Sequence, residues 1–398
     1  MTPHGDLPGI GDRLRAVETE LSRRYPGDRP GQPIHTAYVC AAEATADLPG
    51  DWGTAALELA DRHSDLLTDL AGPDVLSRIR DTIAQRPIQD LRLDFEDGYG
   101  DRGDDAEDAD ARRAAKTLAG EVAAGAAPPF TGLRCKSLEP ATRRRAIRTL
   151  DEFFRALLRQ APLPDGFVVT LPKVTSADQV TAMARLCGRL EEAHGLEPGA
   201  LVFEVQVETP QLILGPDGAA TVARCVHAAH EGRLTGLHYG TYDYSAALGI
   251  AGQQQSLEHP VADHARAVMQ VAAAGTGVRL CDGSSNVLPE GGRDQVIAAW
   301  TLHARLVRRS LERGFYQGWD MHPAQLASRY AATFGFFREG LPAAAARLRG
   351  YVERAATNGA GRAGNEKGRA ERILEEPATA RALAGFLGRG LEDRKSVV

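Results

Sequence analysis

The sequence predicts an α/β protein, a (β/α)8 barrel (TIM barrel) with a helical insertion after strand 1 and a small C-terminal helical tail. Three observations predict it. Short apolar runs of strand character recur eight times at fairly even spacing. Segments of helical periodicity lie between them, the alternation that builds parallel sheets. Charged residues stand directly after several runs, where a barrel carries its chemistry.

The predicted strands are His35–Cys40, Leu91–Phe95, Gly132–Cys135, Phe167–Leu171, Leu201–Val207, Thr235–Tyr239, Gly277–Cys281 and Gly318–Met321. Most are continuous apolar runs, as expected of parallel strands covered on both faces. Residues 1–34 form an N-terminal segment and residues 35–340 the barrel. After the first strand, Ala41-Ala42-Glu43 lacks the Gly-rich turn that an open doubly wound sheet would place there. Residues 44–90 are too long for one crossover and predict the helical insertion. Ser176 is placed to cap a helix with Val180, Met183, Ala184, Leu186 and Leu190 on its apolar side. His264–Ala274 and Asp294–Arg313 predict two more helices. In the tail, 341–398, Ala355–Gly368 reads as a linker and Arg369–Gly388 as a short helical element.

The chain has 398 residues, 43% hydrophobic and 25% charged, the balance of a globular protein. A net charge of -6 offers no basic surplus for nucleic acid, and Arg143-Arg144-Arg145 reads as a solvated helix face. The five cysteines, at 40, 135, 187, 225 and 281, form no CxxC pair, which suggests reduced thiols and a cytoplasmic location. Cys40, Cys135 and Cys281 fall in strand-like runs and are expected to pack. No apolar stretch is long enough to span a membrane, and Met1–Arg15 lacks the core of a signal peptide.

The chemistry concentrates at strand ends. Glu208, in Val205-Gln206-Val207-Glu208-Thr209-Pro210, and Asp243, in Gly240-Thr241-Tyr242-Asp243-Tyr244, are acids at turns after neighbouring strands. Two such carboxylates suit a hard divalent cation, which prefers oxygen ligands and keeps positions for water or substrate. The second strand ends in Leu93-Asp94-Phe95-Glu96-Asp97-Gly98, where Glu96 and Asp97 are candidates for orienting metal-bound water or moving a proton. Arg134 is shaped to grip a carboxylate, or to pair with an acid such as Glu96. Asp101–Asp110 is expected to be a solvated loop and helix start. Lys173 offers either an amine for a Schiff base or positive charge. Gly240, Thr241 and His322 are candidates for substrate contact, and His238 is expected to fill the barrel interior.

In order, "DFEDG", "LRCKS", "LPKV", "VETP", "GTYDYSAALG" and "MHPAQ" follow strands two, three, four, five, six and eight. The set resembles the citrate lyase β-subunit and 2-oxo-acid aldolase family of the phosphoenolpyruvate/pyruvate TIM-barrel superfamily, over roughly residues 35–337. The resemblance implies Mg²⁺ (or Mn²⁺) at Glu208 and Asp243, Arg134 on the substrate, and Glu96 and Asp97 beside the metal. It implies a carbon–carbon lyase or aldolase acting through a metal-stabilised enolate on a 2-oxo acid, a hydroxy acid or an acyl thioester. Homo-oligomers are expected, with no nucleic-acid or membrane partner. His35-Thr36-Ala37-Tyr38-Val39-Cys40 and Arg134-Cys135-Lys136 differ from the family's pattern, as a divergent branch acting on a free acid would. Two alternatives stand beside this reading. One is a phosphoenolpyruvate-type mutase, with Lys136 and Lys173 on the phosphate; the other is a non-catalytic acyl-binding or scaffold protein.

Overall fold

A computed structural model of the chain describes residues 10–229, 232–359 and 376–392. Its eight strands are β1 His35–Cys40, β2 Asp90–Asp94, β3 Phe130–Arg134, β4 Phe167–Leu171, β5 Val202–Val207, β6 Leu234–Tyr239, β7 Arg279–Cys281 and β8 Gly318–Asp320. All pair in parallel, in the order β7-β6-β5-β4-β3-β2-β1-β8. A parallel bridge between Cys281 and Gln317, with the Asp282 amide donating to the Gln317 carbonyl at 2.8 Å, brings the two ends together. The sheet is a nearly closed (β/α)8 barrel, as the sequence predicts.

Helices follow the strands in sequence. Leu48–Arg62, Ser64–Ala71 and Pro73–Gln85 lie between β1 and β2, and Asp104–Ala124, Arg143–Leu157 and Ala177–His194 form the next three crossovers. At the start of the last of these, Gln179 Oε1 accepts the Thr175 and Ser176 amides at 2.7 and 3.1 Å. A Gln side chain reaching back over the amide three residues before it is what Ser-x-x-Gln before an apolar run signals.

The chain divides into two compact units. One comprises Met1–Thr54, Arg86–Leu288 and Arg313–Pro323 and holds every strand. The other comprises Ala55–Gln85, Pro289–Glu312 and Ala324–Val398. Within it, Phe386 of the helix Pro377–Leu391 stacks on Phe337 at 5.2 Å and meets Phe336 edge-on at 5.5 Å. Residues 360–375, part of the predicted linker and tail, lie outside the described residues.

Inside the barrel the core is polar at one level. Arg92 of β2 grips both oxygens of Glu204 on β5 at 3.1 Å each and also reaches Asp90. Thr170 donates to Glu204 at 2.5 Å, and His238 Nε2 meets the same carboxylate at 2.8 Å, so His238 does fill the interior. Burial works against the Glu204 charge, but Arg92 and His238 outweigh it and hold its pKa well below the carboxylate range. This explains why β2 starts at Asp90, before the apolar run: the extra strand residue is a buried ion-pair member. The acidic stretch after β2 also departs from expectation. Glu107 and Asp108 are buried, where Glu107 meets Lys136 at 3.2 Å and Asp108 meets Arg145 at 2.5 Å. Cys135 and Cys281 are buried as expected, whereas Cys40 is half-buried.

Glu121, on the helix Asp104–Ala124, is 7% exposed, and burial alone pushes its carboxyl up to about 7. Its unfolded value of 4.5 is lower, so the folded state holds the proton more tightly and stability falls as pH rises from 4.5 to about 7. Glu121→Gln is therefore expected to gain about 1 kcal/mol at about pH 8 and much less at about pH 5, after allowance for solvent screening. Equal melting-temperature shifts at the two pH values would contradict this.

Candidate active site at the C-terminal barrel face

The C-terminal strand ends open on a cavity of about 340 Å³. Its lining includes Tyr38, Asp94, Asp97, Arg134, Gln206, Gly240, Thr241, Asp243 and Trp319. The volume suits a small organic acid.

Arg134, the last residue of β3, is 3% exposed. Its Nε and Nη2 form a fork on Asp94 at 2.7 and 2.6 Å. The remaining Nη1 donates to Gln206 Oε1 at 3.0 Å and lies 3.4 Å from Glu96. Its guanidinium carbon sits 5.1 Å from the Tyr38 ring centroid and 5.4 Å from that of Trp319. The fork is thus spent on Asp94, and Nη1 is left for Gln206 and Glu96. Asp94 also orders its own loop, accepting the amides of Glu96 and Gly98 at 2.9 and 2.7 Å.

Lys173, at the turn after β4, is the one non-glycine residue with positive φ (53°) among the described residues. That left-handed turn costs roughly 1–2 kcal/mol. It aims the Lys173 amide at Glu208 Oε1, 2.7 Å away. The ammonium lies 2.9 Å from both Asp97 and Asp243 and 3.6 Å from both Glu96 and Glu208. Burial disfavours the charge on Lys173, yet these carboxylates outweigh it and raise its pKa above the ordinary value.

Glu208, just past β5, is 1% exposed, and its other oxygen accepts Gln206 Nε2 at 2.5 Å. Burial pushes its carboxyl up to about 8, against the pull of Lys173. Glu96 is pushed up to about 7, again by burial first, with Arg134 and Lys173 opposing. Gly240 makes this packing possible. A Cβ there would lie 2.5 Å from Glu208 Cβ and 2.9 Å from Oε2. Gly240→Ala is expected to displace Glu208, cut any turnover by at least about tenfold and lower the melting temperature, because the clash falls on Cβ rather than on the flexible end of the side chain. Unchanged turnover would show that this carboxylate's position is not critical.

The barrel thus brings Glu96, Asp97, Glu208 and Asp243 around one ammonium, with Arg134, Gly240 and Thr241 on the adjoining cavity wall. His322 is half-buried and does not line that cavity. Lys136 turns elsewhere: its ammonium donates to the Phe95 and Gly100 carbonyls at 2.8 and 2.9 Å. Asp94 and Gln206 are site residues that the sequence reading passed over. Gln206 could have been found from the strand period of two, which puts Glu204, Gln206 and Glu208 on one face.

Among the described residues, no group of three or more His, Cys, Asp or Glu side chains is arranged to hold a metal ion. The Glu208–Asp243 pair still fits a hard divalent cation. Magnesium is commonly held by one or two carboxylates, with water and substrate completing the shell. The pair already gathers on a cation, the Lys173 ammonium.

A citrate lyase from Burkholderia xenovorans LB400 shares this fold with a TM-score of 0.60, at 19% identity over 92% of this chain and 94% of that chain. Malate synthase from Haloferax volcanii, in its magnesium/glyoxylate complex, gives 0.51 at 14% identity over 75% of this chain and 74% of that one. At these identities the likeness shows a common barrel. No curated protein matches the chain in sequence. The family described as "Domain of unknown function (DUF6986)" matches residues 14–393, and the chain belongs to it.

Proposed function

We propose that this protein is a divalent-metal-dependent carbon–carbon lyase or aldolase, acting on a small 2-oxo acid, hydroxy acid or acyl thioester. The observation that carries the reading is the meeting of Glu208 and Asp243 beside Arg134 at the C-terminal mouth of the barrel. Glu208 and Asp243 would hold Mg²⁺ or Mn²⁺, which when bound draws charge from the substrate oxygens and stabilises a developing enolate. The magnesium/glyoxylate complex of the malate synthase barrel supports that choice of cation and substrate class.

The chain's own residues divide the remaining work. Arg134 offers Nη1 to a substrate carboxylate, kept in place by the Asp94 fork. Gly240 and Thr241 shape the adjacent wall, and Tyr38 and Trp319 exclude water beside the guanidinium. Glu96, with a carboxyl near 7, is suited to give or take a proton at neutral pH, and Asp97 lies alongside. Lys173 is a poor Schiff-base nucleophile, because the acids around it, Asp97 and Asp243 at 2.9 Å foremost, keep its amine protonated. The same acids make it a poor phosphate ligand, and Lys136 is spent on loop carbonyls and Glu107, so no observation favours a phosphoenolpyruvate mutase.

The test is a screen of 2-oxo acids, hydroxy acids and acyl thioesters with Mg²⁺, read by mass spectrometry of products. Cleavage or condensation that EDTA abolishes and Mg²⁺ or Mn²⁺ restores is expected. Turnover unaffected by EDTA would reject the metal assignment.

A further inference from the structure

Lys173 makes more contacts at this site than any simple positive charge requires. Its backbone is bent into the left-handed region, which an unbranched side chain seldom adopts, and the bend delivers its amide to Glu208 at 2.7 Å. Its ammonium then returns over the same acids, 3.6 Å from Glu208 and 2.9 Å from Asp243. One residue therefore contacts the proposed metal pair from both its main chain and its side chain. Two further acids, Asp97 at 2.9 Å and Glu96 at 3.6 Å, also lie within reach of the ammonium.

We infer that Lys173 is a built-in counter-ion, which holds Glu208 and Asp243 together until a divalent cation displaces its ammonium toward Asp97 and Glu96. The inference rests on the metal-binding reading above. Without a cation, several carboxylates converging in a partly buried mouth would repel one another and spread apart. The ammonium prevents this. An ammonium and a divalent ion cannot both sit within about 3 Å of the same two carboxylates, because like charges at that range repel strongly in a medium less polar than water. A lysine suits the exchange, since its charge is a compact point on a flexible stem that can swing to a second acid. Asp97 already accepts from the ammonium at 2.9 Å, so the second position needs little movement. Lys173 is thus a positioning residue, and it sets metal affinity by competing for the site.

The test uses the full chain, with Mg²⁺ titrated by calorimetry and thermal shift. Lys173→Met should lower the melting temperature without metal, tighten Mg²⁺ binding by about tenfold and enlarge the Mg²⁺-induced shift. Lys173→Arg keeps the charge and should bind Mg²⁺ within about threefold of wild type. A second measurement needs no variant. Reductive methylation of the wild-type protein, read by mass spectrometry on the Lys173 peptide, should be faster with saturating Mg²⁺ than without it. Weaker or equal Mg²⁺ binding by Lys173→Met would overturn the inference. Should that variant not fold, labelling that Mg²⁺ leaves unchanged or slows would overturn it instead. Failure of the metal reading itself would look different: wild-type protein would show neither binding heat nor thermal shift with Mg²⁺ or Mn²⁺.

Discussion

Glu208→Ala is expected to cut metal-dependent turnover by at least about a thousandfold while leaving the melting temperature unchanged or raised. Loss of activity without loss of fold follows from the environment of the carboxylate. Glu208 is almost fully buried at the end of β5, and burial pushes its pKa to about 8. A carboxyl held that way costs stability above its unfolded value, so deleting it relieves a penalty that offsets the two donors left unpaired, the Lys173 amide and Gln206 Nε2, and the strand pairing stays intact. Asp243→Ala should behave alike in turnover. Its side chain is 45% exposed, so little stability is at stake. Kinetics with Mg²⁺ and differential scanning fluorimetry on both variants check the pair. Full activity in either would remove that residue from the metal site.

Arg134→Ala is expected to do the opposite to stability, lowering it by about 3–5 kcal/mol, because it strands the buried Asp94 carboxylate. Arg134 and Asp94 are 3% and 4% exposed and share a two-pronged, charge-assisted pair that a single neutral water replaces only poorly. Arg134→Lys keeps the charge, but its three donors sit on one nitrogen and cannot span the planar fork that reaches the two Asp94 oxygens and Gln206 Oε1. That variant should fold and yet use the identified substrate at least about tenfold less well, roughly 1.4 kcal/mol. Chemical denaturation of the alanine variant and kinetics of the lysine variant separate the two roles. A stable, fully active Arg134→Lys protein would leave Arg134 with a purely structural task.

The barrel was legible because most strand cores are apolar runs. Phe167–Leu171 and His35–Cys40 needed no adjustment. Strand edges were harder where polar residues point inward. Asp90 looks like the end of a loop in one dimension, and only pairing with Arg92 and hydrogen bonding to Thr36 make it a strand residue. The same limit applies to the site. Glu208, Glu96, Asp97 and Asp243 lie one to four residues past strand ends and Arg134 closes β3, so position along the chain was enough to single them out as candidates. The links between them were invisible, since Lys173 meets Asp97 and Asp243 across 76 and 70 positions of sequence only once the barrel curves back on itself. Asp94 was hidden for another reason: it sits among acids, and nothing in the sequence says which of them takes the Arg134 fork.

The most direct test of metal-dependent chemistry at Glu208 and Asp243 is mass spectrometry of products after incubation of the full chain with the substrate panel. Borohydride is added to one arm and EDTA to another. Substrate cleavage or condensation is expected with Mg²⁺ or Mn²⁺, none with EDTA or in Asp243→Ala, and no mass increase on Lys173 after borohydride. EDTA-resistant turnover together with a trapped adduct on Lys173 would contradict metal-dependent chemistry at this pair.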